Sequence, residues 1–159
     1  MPKASSSPLI ALRHILPALA VDGKKQALHE IAKLAVPITG LAEHAVFDVL
    51  FAREKLGTTG VGHGIAIPHG KLEGLDRVYG FFARLEKPID FEAIDGKPVD
   101  LMFALLAPAE AGADHLKALA KVSRMFRNPG FCDKLRKTDD AKALFALLSA
   151  SEKETDVAA

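Results

Sequence analysis

Gly57-Thr58-Thr59-Gly60-Val61-Gly62-His63-Gly64-Ile65-Ala66-Ile67-Pro68-His69-Gly70 is the stretch on which the reading of this chain turns. Glycine lets main-chain N–H groups turn toward a ligand and approach it closely. The short apolar run Ile65 to Ile67, followed by Pro-His-Gly, reads as a strand that ends abruptly and presents the His69 imidazole at its tip. Pro68 fixes its own φ and removes an amide donor, so the peptide there is rigid. Imidazole is neutral or charged near neutral pH and is a competent nucleophile. Donor-rich backbone beside a histidine suits an anion, above all a phosphoryl group. The plainer alternative is a partly buried histidine bonded to a carbonyl.

Upstream, Asp22 is a candidate cap for a helix to about Ala35, with Ala27, Leu28, Ile31, Ala32 and Ala35 as its stripe and Pro37 and Gly40 as stop signals. A second helix is expected from about Ala42 to Leu56, ended by Gly57. Its stripe of Val46, Val49 and Leu50 includes Arg53. Downstream, Val78 to Leu85 alternates as a strand with Tyr79, Phe81, Ala83 and Leu85 on one face. Asp95-Gly96 is a turn signal. Val99 to Leu106 is almost wholly apolar, as in a central strand covered on both sides. Asp114 is the expected cap of a helix to about Phe126, with Leu116, Leu119, Ala120, Ser123 and Phe126 facing inward. A short helical piece holds Phe131 to Leu135, and Thr138 is the expected cap of the last helix, with Ala141, Leu144, Phe145 and Leu148 inward. The order implies an α/β domain: a mixed β-sheet flanked by helices on both faces.

Three side chains gather around the glycine-rich loop in this reading. Besides His69, Arg53 sits in the last turn of its helix, where the dipole favours a cation. Folded under the loop, its guanidinium would clamp phosphate oxygens; otherwise it snorkels over apolar surface. His115 stands at a helix start, where free N–H groups offer positive potential to an anion, although spacing alone equally allows a packing histidine. The Thr58 and Thr59 hydroxyls and the amides of Gly60 and Gly70 are candidate phosphate donors. His63 reads as an exposed turn residue, and His14, His29 and His44 as surface or helix-face residues without a role.

Other motifs fail on spacing. Gly62-His63-Gly64 begins a dinucleotide loop, but Ile67 stands where the third glycine belongs. Gly64 to Gly70-Lys71 has one residue too many for a P-loop, and Leu72 replaces its Ser or Thr. Zinc held by His63, His69 and His115 lacks an acidic residue at HExxH spacing, and Arg53 would repel the metal.

The chain has 159 residues, 49% of them apolar, with a formal net charge of +1. One domain is expected, with no bulk attraction to nucleic acid or anionic membrane. The single cysteine, Cys132, excludes an internal disulfide framework and fits a reducing cytoplasm. The apolar stretch from Leu9 to Ala20 is broken by Arg13, His14 and Pro17 and is too short to span a bilayer. Residues 1–8 are expected to be a flexible start, 9–149 the domain, and 150–159 a flexible solvated tail.

Arg53 to Lys71 as a block, Pro88 to Leu101, the strand through Leu106 and His115-Leu116-Lys117 together resemble a phosphotransferase-system EIIA domain of the mannitol/fructose class, most like its nitrogen-regulatory members. The resemblance runs from about Leu9 to Ser149. It implies that fold, His69 as phosphoryl acceptor, and Arg53 and His115 as its active-site companions. Thr58 stands where a serine is common, and a hydroxyl is kept. The resemblance also implies an HPr-like phosphocarrier as donor, with no metal or organic cofactor. Regulatory partners in that family include potassium-transport proteins and sensor kinases. A sugar-specific EIIA that relays phosphate to an EIIB, and a histidine-ligated metal hydrolase, are the alternatives. Lys71, Glu73 and Arg77 are expected on the rim of the docking face.

Overall fold

Two apolar faces of one sheet organise the molecule. A computed structural model describes residues 8–158, so all but the last of the eight residues expected as a flexible start lie outside the described residues. The strands are β1 (Ile15–Leu19), β2 (Gly60–Gly62), β3 (Ile65–Ala66), β4 (His69–Leu72), β5 (Tyr79–Ile89) and β6 (Val99–Pro108). The helices are α1 (Lys24–Thr39), α2 (Glu43–Leu56), α3 (Ala113–Phe126), α4 (Pro129–Arg136) and α5 (Ala141–Ala158). The strand order is β1-β5-β6-β3-β2, with β4 also paired to β6. β5 and β6 are antiparallel, whereas β1 on β5 and both β3 and β4 on β6 are parallel. The expected mixed sheet is therefore present.

β6 is its centre. Val99, Met102, Ala104 and Leu106 join a cluster with α1 and α2 residues such as Leu28, Ile31, Val46 and Leu50. Leu101, Phe103 and Leu105 join the opposite cluster with Val122, Phe126, Leu135, Leu144 and Leu148 of α3, α4 and α5. Both faces are covered, which explains the unbroken apolar run. Burying one such Leu or Phe contributes about 1.5–3 kcal/mol.

Several elements depart from the sequence reading. β1 was not foreseen, because Pro17 interrupts it; as the sheet's edge strand it tolerates a residue without an amide donor. Its neighbour His14 is not a surface residue. It is 1% exposed, hydrogen-bonds through Nδ1 to the Gly80 carbonyl at 2.9 Å and stacks on Phe81. α1 passes through Pro37 and ends where Gly40, in the left-handed region at φ 78°, donates to Val36. Proline there removes one donor only a turn before the end.

α3 starts from Gly112, so Asp114 lies in the first turn and is not the cap. Its buried face is His115, Ala118, Val122 and Met125, with Phe126; Leu116 is 66% exposed and Ala120 is exposed too. The apolar row read from the sequence was rotated by about one position. The last helix is capped by Asp140, whose Oδ2 accepts from the Ala143 amide at 2.9 Å, while Thr138 donates to Lys134 instead.

The expected tail is the end of α5. Glu152 is buried and takes the Leu9 amide on both oxygens and Lys121 Nζ at 2.7 Å. A polar stretch can pack here because its one inward carboxylate is matched by a lysine on another helix.

Candidate functional site

β3 and β4 lie end to end along β6, with Ile65 beside Leu101 and His69 beside Leu105. Pro68 marks the break between them, and its carbonyl accepts from the Leu105 amide at 2.9 Å. His69 therefore opens a strand and does not end one. Its ring is half-buried at the gap between two collinear strands.

Both ring nitrogens have partners. Nδ1 lies 2.9 Å from the Ile67 carbonyl, which can only accept, so Nδ1 carries the proton. Nε2 then presents its lone pair, and Arg53 Nε donates to it at 3.2 Å. Burial lowers the His69 pKa below its ordinary 6.5; the Ile67 bond opposes this, Arg53 lowers it further, and Glu54 pushes it up. The net effect favours a neutral imidazole with its proton on Nδ1 and its Nε2 lone pair directed at the Arg53 guanidinium.

Arg53 is positioned by the end of α2: its Nη1 donates to the Gly57 carbonyl at 2.9 Å. It lies beside the buried stripe, which runs Val46, Phe47, Leu50 and Glu54. Glu54 is 5% exposed. It accepts from the Thr59 hydroxyl, from the Thr59 amide at 3.0 Å and from Lys24 Nζ at 3.0 Å. Sequence reasoning missed it. The signal was available, since an acidic residue four after Leu50 and seven after Phe47 falls on the inward face.

His115 closes the other side. Its ring centroid is 5.7 Å from that of His69, at an interplanar angle of 50°. It lies in the first turn of α3, only 7% exposed, and its Nδ1 is buried with no hydrogen-bond partner among the described residues. Such an orphan calls for an explanation, strain or function. Burial, then His69 and Lys71, hold its pKa below 6.5.

The loop residues have other tasks. The Thr58 hydroxyl donates to the Phe91 carbonyl at 2.9 Å and accepts from the Gly60 amide, and the Thr59 hydroxyl is engaged by Glu54. Their donor protons are directed into the protein and not toward an anion. Gly60 and Gly70 answer to packing: a Cβ on Gly60 would come 2.9 Å from Ala93, and one on Gly70 2.2 Å from Val49 Cγ1. His63, exposed at φ 58°, sits in the β2–β3 turn and bonds to Asp95 and Arg136 through its main chain. Of the expected rim, Lys71 and Glu73 are exposed, whereas Arg77 bonds the Pro8 carbonyl and covers Tyr79.

Among the described residues, no group of three or more His, Cys, Asp or Glu could hold a metal ion. No helix there is long and apolar enough to cross a membrane.

The chain as a whole has counterparts among known proteins. Residues 9–151 match the family described as phosphoenolpyruvate-dependent sugar phosphotransferase system, EIIA 2. A nitrogen regulatory protein of Bradyrhizobium diazoefficiens is 58% identical over 141 residues, covering 89% of this chain and 92% of that protein. The crystal structure of the nitrogen regulatory protein IIA-Ntr of Neisseria meningitidis superposes with a TM-score of 0.83 at 39% identity, over 88% of this chain and 96% of that one. IIA mannitol of Escherichia coli superposes at 0.74 with 18% identity, over 87% and 98%, and shares the fold.

Proposed function

This chain belongs to the EIIA 2 family of the phosphoenolpyruvate-dependent sugar phosphotransferase system, and on that premise we propose that it accepts a phosphoryl group on Nε2 of His69 and acts as a regulator. The donor is an HPr-like phosphocarrier, and the protein's effect on its partners depends on whether His69 carries phosphate. The observation that supports this best is the state of the His69 ring: Nδ1 is fixed on the Ile67 carbonyl while Nε2 faces the Arg53 guanidinium.

The chemistry follows from that ring. The Nε2 lone pair attacks phosphorus in line with the donor nitrogen. A new P–N bond forms as the donor's P–N bond breaks, and the electron pair returns to the donor ring. No proton need leave His69, because its one proton stays on Nδ1. Transfer of this kind requires positioning and charge stabilisation more than covalent help from the protein. Arg53, with N–H donors in a fixed fork, is suited to the phosphoryl oxygens. His115, neutral and with its Nδ1 unpartnered, faces the same space from the N-terminal turn of α3, where helix amides favour an anion.

The regulatory reading is favoured by the 58% identity to a protein named for nitrogen regulation. A phosphate added at the exposed edge of the site changes the charge of a docking face, which repels one partner surface or recruits another. Potassium-transport proteins and sensor kinases are the kinds of target we propose, in the cytoplasm. The test is to incubate the protein with carrier, enzyme I and phosphoenolpyruvate and to read its intact mass. Native protein gains one phosphoryl group and His69→Ala gains none; a gain that survives His69→Ala refutes the assignment. Efficient onward transfer to an EIIB protein would instead favour a sugar relay.

A further inference from the structure

We propose that Glu54, neutralised by Lys24, is a positioning residue for the transfer: through Thr59 and Ile67 it fixes the orientation of the His69 ring, and through α2 it fixes Arg53 beside that ring. The proposal rests on the reading of His69 as phosphoryl acceptor and adds two residues that act without touching phosphate.

A continuous set of hydrogen bonds carries it. Lys24 Nζ, at the start of α1, donates to Glu54 at 3.0 Å. Glu54 accepts both the amide and the hydroxyl of Thr59. The Thr59 carbonyl accepts from the Ile67 amide at 3.0 Å, and the Ile67 carbonyl accepts from His69 Nδ1 at 2.9 Å. The links from Glu54 through Thr59 to Ile67 are main-chain or buried groups, so displacement of one end moves the next. Glu54 also adjoins Arg53 in sequence on the last turn of α2, so both partners whose meeting defines Nε2 are referred to one carboxylate.

A buried ion pair is a poor choice for stability alone, since apolar residues of the same size often serve as well or better. The rest of this α2 stripe is Val46, Phe47 and Leu50, and a leucine at 54 would continue it. The polar exception sits at the turn nearest the site. Its charge is compensated, because the Lys24 ammonium lies against Glu54 and against exposed Glu92 at 2.9 Å and also stands over the Phe91 ring. Phe91 in turn accepts from the Thr58 hydroxyl. The ammonium thus allows a buried carboxylate near a site that receives a dianionic group.

The test compares Glu54→Gln, Lys24→Met and Glu92→Gln with the native protein in transfer kinetics and in an NMR titration of the His69 ring. Arg53, Glu54 and His115 are charged or titratable groups around that ring, and Lys71 on its own strand acts on His115. Glu54→Gln and Lys24→Met are expected to lower the maximal transfer rate at least about tenfold, the scale of a small misplacement, with the carrier KM unchanged. In Glu54→Gln the His69 titration also moves to lower pH, because a carboxylate that favours its protonated form is gone. Glu92→Gln changes neither. Folded variants with native rate and native titration, or with a raised KM alone, overturn the proposal. If Glu54→Gln does not fold, Lys24→Met decides by rate. If native protein gains no phosphate, the functional reading falls, and the His69 Nδ1–H bond to Ile67, read from the ring ¹⁵N shifts, then decides: loss of that bond in Glu54→Gln supports positioning and native ring shifts overturn it.

Discussion

The rings of His69 and His115 face each other at 5.7 Å between centroids, both held below the ordinary imidazole pKa by burial first. Two neutral rings at this distance can flank one phosphoryl group without repelling each other. His115→Ala is therefore expected to slow transfer by on the order of a hundredfold, as loss of one oriented donor does. Its circular dichroism should remain native. Transfer at the native rate would remove His115 from the site.

Arg53 acts on His69 both as donor and as charge. Replacing it by Gln removes a cation that disfavours protonation of the ring, so His69 is expected to titrate at higher pH in Arg53→Gln. Transfer should slow as well, since the fork is lost. Arg53→Lys keeps the charge and loses the fork, and is expected to slow transfer while disturbing the titration less. NMR titration and stopped transfer assays on the two variants separate charge from geometry.

Gly70 is a packing glycine, next to the acceptor. An alanine there would drive its Cβ to 2.2 Å from Val49 Cγ1. Gly70→Ala is expected to cost about 1–3 kcal/mol in denaturant unfolding, the range for overpacking. Adding Val49→Ala should recover part of that, giving a favourable coupling in a double-mutant cycle. Additive costs would contradict the contact.

Glu152 links three distant parts of the chain: the Leu9 amide, Lys121 on α3 and its own α5. Glu152→Ala leaves the Lys121 ammonium, 8% exposed, with Asp156 as its one acidic partner among the described residues. Unfolding free energy is expected to fall by about 3 kcal/mol, as when one member of a buried pair is removed. A loss near zero would mean the α5 end contributes nothing to the fold.

Acid sensitivity should trace in part to His14. Burial holds its pKa below 6.5 against the Gly80 hydrogen bond. Below about pH 6.5 the unfolded chain binds a proton that the native state refuses, so stability is full above that pH and falls as pH drops toward the lowered native pKa. His69 and His115 act in the same direction. His14→Gln is expected to lose less stability between pH 7.5 and 5.5 than the native protein, by urea unfolding at each pH.

Strong apolar periodicity made β5, β6, α1 and α2 legible in the sequence. Their burial is decided by long runs such as Val99 to Leu106, which only a central strand accommodates. What stayed hidden depends on pairing across the fold. β1 contains a proline that only an edge position excuses. β4 has no apolar alternation, and nothing local shows that His69 to Leu72 extends β3 along β6. The α5 end is polar and largely exposed, and its one buried residue, Glu152, is matched by Lys121 from another helix. At the site, His69, Arg53 and His115 were readable from glycine context, helix position and resemblance, and the structure brings them together. The Thr58 and Thr59 hydroxyls bond into the protein, and Gly60 and Gly70 have packing reasons to lack a Cβ; residue type alone does not say which way a hydroxyl faces. Glu54 was passed over because an acidic residue near a helix end usually faces water.

The central claim is most directly tested by NMR of the phosphorylated protein with ¹⁵N-labelled histidine, which reports which ring nitrogen is bonded to phosphorus. The account predicts phosphorus on Nε2 of His69, with Nδ1 still protonated and bonded to Ile67. Phosphorus on Nδ1, or on any other histidine, would contradict it.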